Sequence, residues 1–136
     1  MISPPGPGQG LVLLVEDDDA VRAVVAALLK DDGWRVEAAT DGLEGCEMAR
    51  LLAPQVIVTD LRMPRMTGLE MAKRLSERAE VLPPMVAITA DDAGLRKRAE
   101  ESGLFVEVVH KRLDPERFLE LIRRSTLADG RGADGR

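Results

Sequence analysis

The alternation of short apolar runs with amphipathic stretches constrains the fold of this chain more than any other feature. The first and third runs are continuous and apolar, which is typical of a strand covered on both faces, and the other three are further strand candidates. The five runs are LVLLV (11–15), WRVEAA (34–39), QVIVTD (55–60), MVAITA (85–90) and FVEVV (105–109). A helical pattern follows each of them. Five strands each followed by a helix predict an α/β fold with a doubly wound, five-stranded parallel sheet and helices on both faces.

Local signals place the five predicted helices. In the first, valines and leucines recur at helical spacing on one face, and Gly33 supplies a stop. Thr67 and Glu70 form a capping-box pattern at the third, and Asp91 or Asp92 can cap the fourth. Asp114 followed by a proline marks the start of the fifth. The predicted helical spans are 20–33, 41–53, 67–80, 91–103 and 114–127.

The 136 residues suit one ordinary domain, and with 45% apolar residues they can form a real core. We expect a flexible Pro/Gly linker over 1–10, a folded domain over 11–127 and a disordered tail over 128–136. The only cysteine, Cys46, excludes an internal disulfide and favours a cytoplasmic location. The N-terminus does not have the pattern of a signal peptide, and no stretch is apolar enough for a membrane span. A net charge of −5 argues against nucleic acid as a direct partner.

Polar residues stand where the predicted strands end. Glu16 and Asp17 end the first strand, Asp60 the third, Thr89 the fourth and Lys111 the fifth. Because the carboxyl ends of parallel strands share one edge of a sheet, these side chains should converge there. Clustered carboxylates favour a cation, and hard oxygen ligands suit Mg²⁺. With a hydroxyl and an ammonium nearby, the pattern predicts a phosphoryl-transfer site with an aspartate as nucleophile.

Other conspicuous residues have simpler interpretations. Asp18 and Asp19 lie where the first helix begins, so we interpret them as caps. His110 is the only histidine, and we expect a half-buried residue at a strand end rather than a phosphodonor. Cys46 should be a small apolar filler on the second helix.

Four motifs are similar to those of a known family. They are LVLLVEDD (11–18), VIVTDLRMPRMTGLE (56–70), VAITA (86–90) and the lysine of HKRLDP (110–115). Over nearly all of 11–126 the chain resembles the receiver domain of two-component response regulators, which also occurs in hybrid sensor histidine kinases. The resemblance implies a flavodoxin-like (βα)5 fold and a Mg²⁺-dependent phosphoacceptor.

The resemblance also implies individual roles. Asp60 would accept a phosphoryl group from a histidine kinase or a histidine phosphotransfer protein. Asp17 would ligate Mg²⁺ directly, with Asp60 and the backbone carbonyl of Arg62, and Glu16 would reach it through water.

In the same comparison, Thr89 would bind a phosphoryl oxygen, and Lys111 would contact the phosphoryl group or the unphosphorylated carboxylate. Arg62 and Ala90 fall at positions that modulate the site. Arg62 would screen the aspartyl phosphate or exclude water, although a solvated loop arginine is an equal alternative.

Three departures from the family pattern are visible. Lys111 is followed by Arg112 rather than proline, so we expect a trans peptide and a changed presentation of the lysine. The position of the switch aromatic holds Val108, which should weaken coupling to the threonine. Gly103 stands one residue further from the lysine than is common, so we expect the fourth helix and its exit loop to be irregular.

The main hypothesis is a phosphorylation-dependent switch, not an enzyme beyond catalysing its own phosphorylation. Its signal would leave through the face of helix four, strand five and helix five, towards a downstream protein or a second copy in a homodimer. One alternative is a pseudo-receiver that mediates interaction without phosphorylation. A dehalogenase-like hydrolase is a second alternative, but such enzymes have an aspartate two residues after the nucleophile, where this chain has Arg62. Either a single-domain regulator or a receiver from a longer protein, such as a hybrid kinase, fits the sequence.

Overall fold

Strands and helices alternate throughout the chain. The computed structural model describes residues 10–78, 82–90 and 93–133. The elements are β1 (Leu11–Val15), α1 (Asp19–Asp31), β2 (Arg35–Ala39), α2 (Gly42–Leu52), β3 (Val56–Asp60), α3 (Gly68–Arg78), β4 (Met85–Thr89), α4 (Ala93–Ser102), β5 (Glu107–His110) and α5 (Pro115–Ala133). The strands form one parallel sheet in the order β2-β1-β3-β4-β5. The predicted five-stranded α/β fold is confirmed.

The two faces of the sheet carry separate apolar clusters. On one face, Val12 and Leu14 of β1 pack with Leu29 of α1 and with Phe118 and Ile122 of α5. On the other, β1 and β3 contribute to a cluster with α3, and β4 packs with α3 and α4 in a third cluster. The central strands β3 and β4 are buried along their whole length, which explains why their sequences are continuous rather than alternating apolar runs.

The predicted helix starts are present. Asp18 caps α1, and its side chain accepts a hydrogen bond from the backbone N–H three residues on. Thr67 and Glu70 exchange reciprocal hydrogen bonds of 2.8 and 3.0 Å between side chain and backbone, as a capping box requires. Asp114 accepts two backbone N–H groups, and Pro115 is the first residue of α5. The predicted cap at 91 or 92 lies outside the described residues.

The core covers only part of the apolar face of α1. Leu29 is buried, whereas Val24, which belongs to the same helical spacing, is 60% exposed. Spacing defines a helical face but does not say how far the neighbouring elements cover it. The helix ends before Gly33, whose φ of 100° lies in the left-handed region that glycine adopts at no cost.

Strand β5 and helix α5 differ from their predicted bounds. Pairing with β4 aligns Glu107 with Val86 and His110 with Thr89, so β5 begins after Phe105. Helix α5 continues to Ala133, past the predicted domain end at residue 127. Once a helix is nucleated, each further residue adds a hydrogen bond, so a polar sequence can extend it. Residues 134–136 and the predicted linker over 1–9 lie outside the described residues, and the predicted division of the chain into linker, domain and tail stays a prediction.

None of the helices in the described part of the chain combines the length and apolar character needed to cross a membrane.

Candidate functional site

Three carboxylates meet at the carboxyl edge of the sheet. Glu16 and Asp17 directly follow β1, and Asp60 is the last residue of β3. Strands β1 and β3 are hydrogen-bonded neighbours in the sheet. One carboxylate oxygen from each residue lies within 4.8 Å of those of the other two. Glu16 is fully buried and Asp60 nearly so, whereas Asp17 is exposed. The sheet order therefore brings together the acidic residues that the sequence assigned to one edge.

Lys111 completes this cluster from the loop after β5. Its Nζ lies 3.0 Å from Asp60 Oδ2 and 3.2 Å from Glu16 Oε1. Its backbone N–H donates to the carbonyl of Thr89, which fixes the start of the loop on β4. The described residues contain no cis peptide bond, so the predicted trans bond between Lys111 and Arg112 is confirmed. The loop without proline still directs the ammonium at the Asp60 carboxylate.

The cluster perturbs the protonation of its members. Burial and the charge of Asp60 raise the pKa of Glu16 from 4.5 to about 7. Burial alone would lower the pKa of Lys111, but its hydrogen bond to Asp60 and the charges of Asp60 and Glu16 outweigh that effect and raise it. Lys111 therefore stays cationic, with two of the three carboxyl groups, those of Glu16 and Asp60, at ion-pair distance.

These residues fit a divalent cation. The donors are carboxylate oxygens, which suit a hard ion such as Mg²⁺. The buried Oε1 of Glu16 accepts no hydrogen bond from the described residues, although Lys111 Nζ lies at ion-pair distance. A buried carboxylate oxygen with such incomplete compensation is costly, and a cation nearby would relieve that cost.

Backbone contacts hold the Asp60 carboxylate and its strand end in place. The backbone N–H of Arg62 donates to Asp60 Oδ1 at 3.3 Å, while the Arg62 side chain is exposed. The hydroxyl of Thr59 donates to the Asp60 carbonyl at 2.8 Å. On the neighbouring strand, Thr89 is buried at the end of β4, and the exposed Ala90 follows it. The predicted hydroxyl thus stands at the same sheet edge.

Two residues that the sequence did not single out shape the site. A Cβ on Gly68 would lie 2.3 Å from the Asp60 carbonyl oxygen, so only glycine lets α3 begin this close to β3. Arg22 donates to the Glu16 carbonyl at 2.9 Å and pairs with Asp19. Gly68 lies inside a motif, but neither role can be read from spacing, because both depend on a close tertiary approach.

The remaining candidates occupy ordinary positions. Asp19 lies in the first turn of α1, next to the N-cap Asp18, as expected. His110 is half-buried, and its Nδ1 accepts a hydrogen bond from the backbone of Arg112. Val108 is half-buried and packs against the cluster beneath α4. Cys46 is half-buried on α2, as predicted.

Residues 12–123 match the family model described as the response regulator receiver domain. The chain belongs to this family. Response regulator MprA from Mycobacterium ulcerans is 34% identical over 127 residues, which cover 90% of this chain and 54% of that protein. MprA from Mycobacterium leprae is 36% identical over 92 residues, covering 68% of this chain and 40% of that protein. The chain thus spans about half the length, or less, of these curated relatives.

Solved receiver structures have the same architecture. Chemotaxis protein CheY4 from Vibrio cholerae superposes with a TM-score of 0.78 at 29% identity, over 86% of this chain and 98% of CheY4. The N-terminal domain of protein WS1339 from Wolinella succinogenes gives 0.74 at 34% identity, over 86% and 96%. This chain is therefore a receiver domain of a two-component response regulator.

Proposed function

We propose that this receiver takes a phosphoryl group from a phosphohistidine onto Asp60, with Mg²⁺ as cofactor, and that the modification switches its protein contacts. The observation that carries the proposal is the convergence of Glu16, Asp17 and Asp60 within 4.8 Å, with Lys111 hydrogen-bonded to Asp60. A nucleophilic carboxylate held beside a fixed cation and two further acidic groups is suited to phosphoryl transfer.

The metal would be held by Asp17 and Asp60 directly, with the carbonyl of Arg62, and by Glu16 through water. When bound, Mg²⁺ supplies positive charge that offsets the oxygens of the transferring group. Glu16 and Asp60 are both oriented before any ligand arrives. The Asp18 N–H donates to the Glu16 carboxylate and Arg22 to the Glu16 carbonyl. The Asp60 carboxylate accepts from the Arg62 N–H and from Lys111. Such prior orientation limits the reorganisation required during transfer.

In the transfer step, a carboxylate oxygen of Asp60 attacks phosphorus, the P–O bond forms and the P–N bond to the donor histidine breaks. The released imidazole takes up a proton. Lys111, hydrogen-bonded to Asp60 at 3.0 Å, moves its contact to a phosphoryl oxygen, and the Thr89 hydroxyl donates to another. The new group carries about −1.5 to −2 charges, but the bond uses the single negative charge of the Asp60 carboxylate, so this edge of the sheet gains a net charge of about −0.5 to −1.

The phosphodonor would dock beside Lys111. A groove of about 360 Å³ between α1 and the start of α5 opens there, with Val24, Val25, Leu113 and Phe118 among its walls. Exposed Val24 gives the partner an apolar contact next to the acceptor. The output would leave through α4, β5 and α5 towards a downstream protein or a second copy of the chain.

The direct test is incubation with Mg²⁺ and acetyl phosphate, followed by intact-mass measurement. We expect a mass increase of one phosphoryl group, lost in Asp60→Asn and in the presence of EDTA. The Asp60→Asn variant keeps the size of the side chain, so it controls for folding. Failure of the wild-type chain to gain mass under these conditions, with a folded protein by circular dichroism, would contradict the proposal.

A further inference from the structure

A second concave surface lies at the opposite end of the sheet. It is a groove of about 920 Å³ between α2 and α3, at the amino ends of β1, β2 and β3. We call it the amino-edge groove. Asp60 and its neighbours lie at the carboxyl ends of the same strands, so this groove shares no residue with the phosphoacceptor site. Its volume lies within the range of small-molecule pockets, about 300–1,000 Å³.

The walls of the amino-edge groove are apolar. Leu43, Cys46 and Leu52 of α2 face Leu75 of α3 across it, and Leu82 continues the apolar surface. Leu43 and Leu52 remain 44% and 37% exposed, so the fold leaves apolar area here uncovered. An organic molecule with an apolar body would bury this area, which is favourable in proportion to the surface removed from water.

The rim, by contrast, is cationic. Arg35, Arg50, Arg74 and Arg78 line the groove, and among its described lining residues Glu47 alone is acidic. Glu47 pairs with Arg50 at 2.8 Å, whereas the other three guanidiniums form no ion pair with any residue that the structure describes. The whole chain has a net charge of −5, so this concentration of arginines is local rather than a general property.

Two of these arginines, Arg74 and Arg78, line the groove together with Cys46 of its apolar wall. Burial raises the pKa of the Cys46 thiol, while the charges of the two arginines act in the opposite direction. A carboxylate or phosphate at the rim would meet two cationic groups above an apolar wall.

We propose that the amino-edge groove binds a small amphipathic anion, with its apolar body against α2 and α3 and its acidic head on Arg74 and Arg78. Charge complementarity selects the anion, because guanidinium groups bind carboxylates and phosphates through paired hydrogen bonds. The exposed leucines favour an anion that carries an apolar chain over an inorganic anion, because only the chain can cover them. This site is independent of phosphorylation at Asp60.

The chain contains its own reporters for this site. Cys46 is the only cysteine and lines the groove. Trp34 is the only tryptophan, and its ring would lie 3.3 Å from a Cβ on Gly10, another residue of the groove wall. A bound molecule should slow alkylation of the thiol and change the emission of the indole, so no label needs to be added.

The experiment uses laurate, below its micelle-forming concentration, on the whole chain and on its Asp60→Asn variant. We expect saturable slowing of Cys46 alkylation by iodoacetamide, with a matching change in Trp34 fluorescence, in both proteins. Two compounds serve as controls. Acetate has the carboxylate without the alkyl chain, and dodecyltrimethylammonium has an alkyl chain of the same length with a cationic head group. Neither should protect the thiol at the same concentration, and equal protection by the cation would overturn the proposal.

Charge-matched variants test the rim. Replacing Arg74 and Arg78 together by glutamine should raise the dissociation constant for laurate about tenfold or more, because two charge-assisted contacts are lost. The control replaces two exposed arginines outside the groove, Arg98 and Arg117, and should leave the constant unchanged. Circular dichroism checks folding of both. Unchanged affinity in the Arg74/Arg78 variant, or no binding of laurate to the wild type, would refute the site.

Discussion

The buried carboxyl group of Glu16 should make the metal-free domain less stable as the pH rises. The residue is fully buried beside Asp60, and its Oε1 accepts no hydrogen bond from the described part of the chain. Glu16→Gln keeps the size of the side chain but removes its ionisation. We expect the variant to gain stability relative to wild type as the pH rises.

The sign and size follow from the two pKa values. Folding raises the pKa of Glu16 from 4.5 to about 7, so the native state holds this proton more tightly than the unfolded state. Its contribution is fully present below pH 4.5 and is lost as the pH passes through about 7. At about 1.4 kcal/mol per pKa unit, the variant's relative free energy of unfolding should rise by about 3 kcal/mol across that window.

Urea unfolding in EDTA, at about pH 4.5 and about pH 8, measures this double difference. The exposed Glu77→Gln serves as a matched control for the substitution itself. Mg²⁺ should raise the free energy of unfolding of the wild type more than that of Glu16→Gln, because the wild type has one more carboxylate with which to hold the ion. A difference between Glu16→Gln and wild type that stays constant with pH would refute the reasoning.

Three further predictions concern the site and its support. Lys111→Met should slow phosphorylation of Asp60 by acetyl phosphate about a hundredfold, because one fixed cation facing the developing charge is lost. Time-resolved measurement of the intact mass gives the rate, and a rate equal to that of the wild type would contradict this role. Gly68→Ala should lower the free energy of unfolding by about 2 kcal/mol, since its Cβ would meet the Asp60 carbonyl, whereas Gly94→Ala in exposed α4 should raise it by about 0.5 kcal/mol. Urea denaturation compares the two, and equal effects would argue against the close approach. Arg62→Ala should speed loss of the phosphoryl group if the side chain screens it, and an unchanged dephosphorylation rate removes that role.

The fold was predictable because the sequence carries its pattern at two levels. Continuous runs such as that of β3 indicated strands covered on both faces, and the alternation with helices indicated a parallel sheet. Because the carboxyl ends of parallel strands share one edge of the sheet, Asp17, Asp60 and Lys111 could be predicted to lie together, although they are far apart in the sequence. The capping box of Thr67 and Glu70 was equally visible, because its two residues are only three positions apart.

Features set by tertiary approach were not predictable. The exposure of Val24 depends on how α1 lies against α5, and the start of β5 depends on its register with β4. The role of Gly68 depends on a backbone contact between α3 and the end of β3. Neither spacing nor composition carries this information, because each contact involves a partner distant in the sequence.

The sheet order has a consequence for when the site can exist. Glu16 and Asp17 follow β1 and Asp60 ends β3, and the chain between them passes through α1, β2 and α2 before the two strands pair. Before that loop closes, the carboxylates are independent side chains with little affinity for a divalent ion. On the proposed function, competence for phosphorylation is a property of the folded topology. A partner that binds the phosphorylated form would then bind only chains in which β1 and β3 have paired.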